Sequence, residues 1–272
     1  MSVAIKNLAI AVSFFYVEEK LEFLHTALSN IHKFADDVSV YIFTNRKDRI
    51  AEENIKKCWH NYNNVHYTIL YPKLLGHPYF LTWSHQEVFK KLVETNNSIT
   101  HFLYLEDDVY LDINNIEYYI EAEKNLRGSK FIPAFLRYEL LGEEKIAIDV
   151  MVKQIFRVMA YHKLSDNYYY VNLSYPYQGM YLLSKRYMHE YFSGKAYNPD
   201  FNPVWPIREM STATISFYNV PKGFTSRNLL GCVMKNDKIH VDERALIHHL
   251  PNKYVADKEN LKKILPVNQI FA

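Results

Sequence analysis

The first hundred residues alternate between continuous apolar runs and segments with apolar residues at helical spacing. Leu8 to Tyr16 is nearly all apolar, and shorter runs follow at Val38 to Phe43 and Val65 to Leu70. Such runs predict buried strands of a parallel sheet. Glu18 to Phe34 and Arg49 to Trp59 carry the helical pattern between them. This alternation predicts an α/β fold with a mixed, mainly parallel central sheet flanked by helices.

A fourth apolar run, His101 to Leu105, leads directly into Glu106, Asp107 and Asp108, which we call the acidic triplet. The run is short and contains aromatic and branched residues, so it predicts a buried strand. Carboxylates at such a place are costly unless they are paired or hold a cation. Ligands of open α/β sheets bind at the carboxyl ends of the strands, and clustered carboxylates suit Mn²⁺ or Mg²⁺. The alternative is a solvated turn that precedes a helix.

The pattern beyond these runs predicts further elements. Ser84 and Glu87 have capping-box spacing, which predicts a helix from about Gln86 to Glu94. Asp112 is a candidate N-cap for a helix with isoleucines at helical spacing. The remaining predicted elements are a strand over Phe131 to Leu136, a turn and strand from Tyr175 to Ser184, a helix over Lys185 to Phe192, a loop over Asn198 to Pro206 and a helix over Met210 to Phe217.

Composition narrows the class of protein. The 272 residues, 49% hydrophobic and 23% charged, suffice for one cored domain, and the net charge of +2 predicts no nucleic-acid partner. No apolar run reaches about 18 residues, so we expect no membrane span. The N-terminus shows no signal-peptide pattern, and the two cysteines fit a reducing compartment, so we expect a cytoplasmic protein. The basic segment Lys253 to Lys263 predicts a solvated helix face, with peripheral membrane contact as the alternative.

The acidic triplet, the apolar strand before it and the helix after it resemble the DXD-type motif of GT-A nucleotide-sugar glycosyltransferases. The triplet is especially similar to the Glu-Asp-Asp version in N-acetylglucosaminyltransferase I-like enzymes. The resemblance is one of motif and element order over roughly residues 5–250. It implies a single GT-A-like, Rossmann-like domain. Residues of about 1–112 would bind a nucleotide sugar, about 113–250 would bind the acceptor, and 251–272 would form a tail.

The resemblance implies a metal-dependent transfer of a sugar from a nucleotide-diphosphate donor, with UDP-sugar favoured, to a hydroxyl of a glycan or glycoconjugate. By position, Asp108 would contact Mn²⁺ or Mg²⁺, while Glu106 and Asp107 would contact the donor. His249, or its neighbour His248, would be a further metal ligand from the C-terminal segment. The alternative is that one of these histidines packs in the core and the other is solvated. Gly179 would let the backbone approach a sugar.

Other candidate contacts to the donor are polar side chains at strand ends and histidines that precede the acidic strand. Ser13 and Asn45 follow the first two strands, where ordinary capping and turn chemistry is the alternative. His77 and His85 precede the helix that comes before the acidic strand. In the resemblance that helix borders the donor, so both histidines are candidate donor contacts. Isolated histidines are more often structural.

Glu209 is the candidate catalytic base of an inverting reaction, because the resemblance places a carboxylate near this position. The alternative is an acid that complements the dipole of the helix it begins. Glu139 and Asp242 are substitute bases, although Glu139 is also expected to pair with Arg137. Two other functions remain open. A sugar-phosphate nucleotidyltransferase would carry a glycine-rich loop after the first strand, whereas the first glycine here is Gly76. A non-catalytic carbohydrate-binding protein on the same frame is the second.

Overall fold

The computed structural model describes residues 5–73, 77–150, 153, 159–172, 177–198 and 206–271. Its strands are β1 (Asn7–Phe14), β2 (Asp37–Thr44), β3 (Val65–Leu70), β4 (His101–Glu106), β5 (Val109–Tyr110), β6 (Ile132–Ala134), β7 (Leu136–Leu141), β8 (Glu144–Ala147), β9 (Tyr161–Ser165), β10 (Tyr168–Asn172), β11 (Met180–Ser184), β12 (Asn228–Lys235), β13 (Lys238–Val241), β14 (Leu246–His249) and β15 (Leu265–Pro266). Its α-helices are α1 (Leu21–Leu28), α2 (Arg49–Lys57), α3 (His85–Thr95), α4 (Ile113–Asn125), α5 (Lys185–Ser193), α6 (Ile207–Ala213), α7 (Lys253–Ala256) and α8 (Lys258–Leu261). Its 3₁₀ helices are Glu18–Lys20, Ile31–Lys33, Pro78–Trp83, Thr214–Phe217, Glu243–Ala245 and Val267–Gln269.

The chain forms two compact units. The first comprises 1–113 and 179–215, and the second comprises 114–178 and 216–272. The first unit therefore contains the predicted nucleotide-binding strands together with a later segment that holds β11, α5 and α6. Residues 175–176 of the predicted turn and residues 199–205 of the predicted loop lie outside the described residues.

The first unit is built on a sheet with the strand order β11-β4-β1-β2-β3. β1 pairs in parallel with β2 and β4, β2 pairs in parallel with β3, and β11 pairs antiparallel with β4. Helices α3 and α5 pack against strands of this sheet. The predicted α/β class with a mixed, mainly parallel sheet is confirmed for this unit. Its continuous apolar strands are buried almost throughout, as expected for a sheet covered by helices.

The strand order places a topological switch point between β1 and β4. From β1 the chain proceeds to β2 and β3 on one side, and β4 then lies on the other side of β1. In this register Ser13, near the end of β1, lies opposite Glu106, the last residue of β4. Ligand crevices of open α/β sheets lie outside the carboxyl ends of the strands at such a switch point. The fold therefore brings the acidic triplet to the edge where a ligand is expected.

The second unit contains strands of two further, mixed sheets. One has the order β13-β12-β10-β9 with β6 parallel to β12, and the other joins β15, β8, β7 and β14. Gly231 on β12 has no room for a side chain, because a Cβ there would lie 2.5 Å from the Tyr168 hydroxyl. The Tyr118 hydroxyl accepts the Gly231 amide at 2.8 Å and donates to the Ala134 carbonyl at 3.0 Å. Buried polar groups of this unit thus bind its strands together.

Two local predictions are wrong. The helix expected over Glu18 to Phe34 consists of a 3₁₀ turn, α1 and a second 3₁₀ turn, and α1 ends at Leu28. The next residue, Ser29, donates its hydroxyl to the Thr26 carbonyl at 2.7 Å, which satisfies a carbonyl at the helix end. Ser84 forms no capping box, because its backbone is already helical and α3 continues the preceding 3₁₀ helix. Its hydroxyl donates to the Phe80 carbonyl instead.

In the part of the chain that the structure describes, no helix combines the length and apolar character that crossing a bilayer requires.

Candidate functional site

The acidic triplet is buried at the carboxyl end of β4. Glu106 is 8% exposed, and Asp107 and Asp108, in the turn between β4 and β5, are each 6% exposed. The Glu106 amide donates to the Gly179 carbonyl at 3.0 Å, just before β11 begins. Gly179 has a φ of +64°, a conformation that favours glycine, so this residue lets the chain turn into β11 beside the triplet. The strand predicted before Ser184 is confirmed as β11, which pairs with β4.

The pKa of the Asp107 carboxyl group is raised by its surroundings. Burial is the largest cause that raises the pKa of Asp107, the adjacent Asp108 charge also raises it, Lys20 lowers it, and the net pKa is about 7. The Lys20 ammonium lies 3.6 Å from Asp107 Oδ2. Within the described residues, that oxygen accepts no hydrogen bond. A buried carboxylate in this condition is stabilised by an added positive charge.

Ser13 and Asn45 occupy the expected strand ends but already have partners. The Ser13 hydroxyl is buried and donates to the Leu81 carbonyl at 3.2 Å. Asn45 is exposed, and its side-chain oxygen accepts the Tyr16 amide at 2.7 Å, which fixes the segment after β1. These contacts are the turn chemistry of the alternative interpretation. Ligand contacts through the Ser13 oxygen or the Asn45 amide stay predictions.

His85 is fully buried. Its ring lies 4.4 Å from that of Tyr104 and 5.5 Å from that of Tyr181. Nδ1 lies 2.8 Å from the Thr82 carbonyl and therefore carries the proton of a neutral ring. Burial lowers the pKa of His85 to about 3, so the side chain is uncharged at neutral pH. This environment favours the structural interpretation, and donor contact stays a prediction. His77 is exposed, and its Nδ1 accepts the Tyr79 amide.

Glu209 lies in the first turn of α6, in the same compact unit as the acidic triplet. Its side chain is 16% exposed, and Oε1 lies 3.4 Å from Arg208 Nη2. The Trp83 indole donates to the Ile207 carbonyl at 2.7 Å and attaches α6 to the Pro78–Trp83 turn. The same turn supplies the Leu81 carbonyl that accepts the Ser13 hydroxyl. The Pro78–Trp83 turn thus links the end of β1 to the helix that carries Glu209.

His249 lies in the second unit and is buried against Glu139. Its Nδ1 is 2.6 Å from Glu139 Oε1, and Glu139 Oε2 accepts the amides of Tyr254 and Val255 at 2.8 Å each. Glu139 therefore caps the first turn of α7 and fixes one ring nitrogen of His249. These contacts favour a structural role for both residues. Metal binding by His249 stays a prediction.

The expected pairing of Glu139 with Arg137 is wrong. Arg137 instead makes a buried two-point contact with Asp149, at 2.9 Å through Nε and 2.6 Å through Nη2. Residues two apart on a strand face the same side, so Arg137 and Glu139 were expected to lie near each other. Asp149, beyond β8, supplies the acid that the sequence did not indicate. The other substitute base, Asp242, accepts hydrogen bonds from Tyr168 and Arg244 at 2.8 Å.

His248 is the less buried of the two adjacent histidines, as the alternation along a strand predicts. Its ring stacks on Tyr138 with centroids 5.0 Å apart and planes 10° apart. Burial lowers the pKa of His248. These features match a side chain packed on its neighbour across β7 and β14.

The described residues contain no group of three or more His, Cys, Asp or Glu side chains arranged to hold a metal ion by themselves. Mn²⁺ and Mg²⁺ sites that act on phosphates commonly use one or two carboxylates and take their other ligands from phosphate and water. The hard carboxylate oxygens of the triplet suit those cations. The buried Asp107 Oδ2, which accepts no hydrogen bond among the described residues, also fits such a site.

Lys20 is a member of this site that the sequence did not single out. It falls within the helix that the apolar spacing predicts over Glu18 to Phe34. In the structure it ends the Glu18–Lys20 turn in the connection between β1 and α1. Its place in the connection that follows β1 is the signal that could have identified it, because such connections border the crevice.

No family model matches this chain, and a search of curated proteins finds no significant match.

Proposed function

We propose that this protein is a metal-dependent glycosyltransferase that moves a sugar from a nucleotide-diphosphate donor to a hydroxyl of a glycan acceptor. The observation that carries the proposal is the burial of three consecutive carboxylates at a topological switch point. Burial opposes their charge, so a protein that keeps them there gains from a cation in the crevice. A Rossmann-like sheet with acids at this place is compatible with a GT-A frame.

Each acid of the triplet is assigned a role. Asp108 is the proposed metal ligand, and Glu106 and Asp107 contact the donor directly or through water. Bound Mn²⁺ or Mg²⁺ would supply charge that offsets the negative charge developing on the leaving nucleoside diphosphate. Ser13 and Asn45 lie near the ends of neighbouring strands, and we assign them contacts with the nucleotide. Metal binding through Asp108 does not require His249.

Glu209 is the proposed base that removes the proton of the acceptor hydroxyl in an inverting reaction. It is largely buried, and the described contacts bind its Oε1 to Arg208 and leave Oε2 without a hydrogen bond. An acceptor oxygen within hydrogen-bond reach of Oε2 would give it the proton to take. The alternative bases are engaged elsewhere, since Glu139 caps α7 and Asp242 binds Tyr168 and Arg244.

The segment between β1 and α1 argues against a nucleotidyltransferase. It reads Phe15-Tyr16-Val17-Glu18-Glu19-Lys20 and contains no glycine, so no glycine-rich loop cradles phosphates here. The non-catalytic alternative predicts carbohydrate binding without release of a nucleoside diphosphate. A turnover assay distinguishes it from the proposed enzyme.

The first test is a thermal-shift panel of UDP-, GDP-, dTDP- and CMP-sugars, each with and without Mn²⁺. A donor that binds the folded state should raise the melting temperature by mass action. We expect a nucleoside-diphosphate sugar, UDP-linked by preference, to do so in the presence of Mn²⁺. CMP-sugars are the matched control, because they have a single phosphate and lack the diphosphate that the metal would bridge. The absence of a Mn²⁺-dependent shift with every diphosphate sugar would contradict the proposal.

A further inference from the structure

We infer that Lys20 is a built-in counterion that occupies the cation position beside Asp107 in the metal-free protein and is displaced when a divalent cation binds. The inference rests on the proposed metal site and adds a residue that regulates it. Lys20 would then set how tightly the crevice holds a metal before any nucleotide arrives.

The geometry of the two side chains differs in a way that favours exchange. The Asp107 side chain is 8% exposed, whereas the Lys20 side chain is 38% exposed. The ammonium lies 3.6 Å from Asp107 Oδ2, which is longer than a direct hydrogen bond. The lysine can therefore withdraw into water at little cost, while the carboxylate must remain where it is.

The charges around the pair explain why a monovalent ammonium is a weak occupant. Asp107 has Asp108 and Glu106 beside it, and both raise the free energy of its ionised form. A divalent cation with carboxylate ligands carries twice the charge of the Lys20 ammonium and would offset more of the repulsion that acts on Asp107. Glu18 and Glu19 precede Lys20 in the same turn and bring further negative charge to this connection.

An ordinary surface ion pair is the competing explanation of the contact. Exposed lysine–carboxylate pairs are worth little, and their removal leaves neighbouring sites unchanged. The chain offers such a pair for comparison. Lys56 lies 2.5 Å from Glu52 on α2, and the two side chains are 48% and 41% exposed. Lys56→Met is therefore a matched control for Lys20→Met.

The test measures Mn²⁺ binding to the parent, Lys20→Met, Lys56→Met and Asp108→Ala, with free Mn²⁺ followed by electron paramagnetic resonance. Removing a competing cation should tighten Mn²⁺ binding by Lys20→Met about fivefold or more. We expect Lys56→Met to match the parent and Asp108→Ala to lose binding. Thermal unfolding of the metal-free proteins provides a second measurement. Lys20→Met should melt at a lower temperature than the parent, and Mn²⁺ should remove that difference.

The outcomes separate this inference from the proposed function. If the parent binds Mn²⁺ through Asp108 and Lys20→Met binds it with equal or lower affinity, the counterion role is overturned and the metal site stands. If neither the parent nor Lys20→Met binds Mn²⁺, with or without UDP, both the metal site and the counterion role are overturned. If Lys56→Met increases the Mn²⁺ affinity as much as Lys20→Met does, the cause is a general charge effect, and the counterion role of Lys20 is overturned.

Discussion

Asp107 is a buried acid whose ionisation makes the metal-free protein less stable, unlike an apolar residue of the core. Its pKa of about 7 lies above the ordinary value of 3.8, so the folded protein binds its proton more tightly than the unfolded chain does. Well below pH 3.8 both states are protonated, and Asp107 carries no penalty. As the pH rises towards 7, the unfolded state ionises first, and the free energy of unfolding falls by up to about 1.4 kcal/mol per pH unit.

The substitution Asp107→Asn should therefore stabilise the metal-free protein at neutral and alkaline pH. We expect a gain of about 1 kcal/mol or more at about pH 8, shrinking to nothing well below pH 3.8, because the amide carries no charge to bury. Denaturant unfolding across this pH range measures the gain. Asp36→Asn, at an exposed site, is the control and should show little change. A destabilised Asp107→Asn at about pH 8 would show that the carboxylate is a favourable structural group.

The sequence indicated the acids of this site but not the lysine. Three carboxylates after an apolar run stand out because burial of charge is costly. Lys20 is one of many lysines, and only the folded connection after β1 brings it to Asp107. His85 shows the same limit, because nothing local indicates that its ring packs on Tyr104 and Tyr181, which are distant in the chain.

At the scale of elements, the strands were predictable where the apolar pattern was continuous. β3 spans the predicted residues, Val65–Leu70, and β2 differs from its prediction by one residue at each end. Helix ends were less predictable, because competing side-chain hydrogen bonds decide them. The Ser29 hydroxyl, bound to the Thr26 carbonyl, accompanies the end of α1 within a segment that the apolar spacing would have continued.

The helix α6 carries the prediction that belongs to this scale. Glu209→Gln keeps the size of the side chain and removes the base, so turnover should fall by roughly 100-fold or more while donor binding is nearly unchanged. Release of nucleoside diphosphate with acceptor present measures turnover, and calorimetry measures donor binding. Glu87→Gln is the matched control, because Glu87 is an exposed acid in the first turn of α3. Parent-like turnover of Glu209→Gln would leave Glu209 as an acid that only complements the helix dipole.

At the scale of the whole molecule, the pairings that complete the first unit join segments far apart in sequence. β11 lies antiparallel to β4, and α6 is attached to the Pro78–Trp83 turn by the Trp83 indole. Local patterns predicted that these elements exist, but the pairing partner of a strand depends on the packing of the whole sheet. The α/β class followed from alternation, whereas the mixed parallel and antiparallel pairing of the second unit did not.

The central claim, a metal site for a nucleotide diphosphate at the end of β4, is tested most directly by calorimetric titration of UDP. The titrations use the parent with Mn²⁺, the parent with a chelator, and Asp108→Ala with Mn²⁺, and thermal unfolding checks that the variant is folded. We expect UDP to bind the parent only with Mn²⁺ and Asp108→Ala to lose at least about 10-fold in affinity. Equal Mn²⁺-dependent affinity of the folded variant and the parent, or UDP binding that ignores the chelator, would contradict the claim.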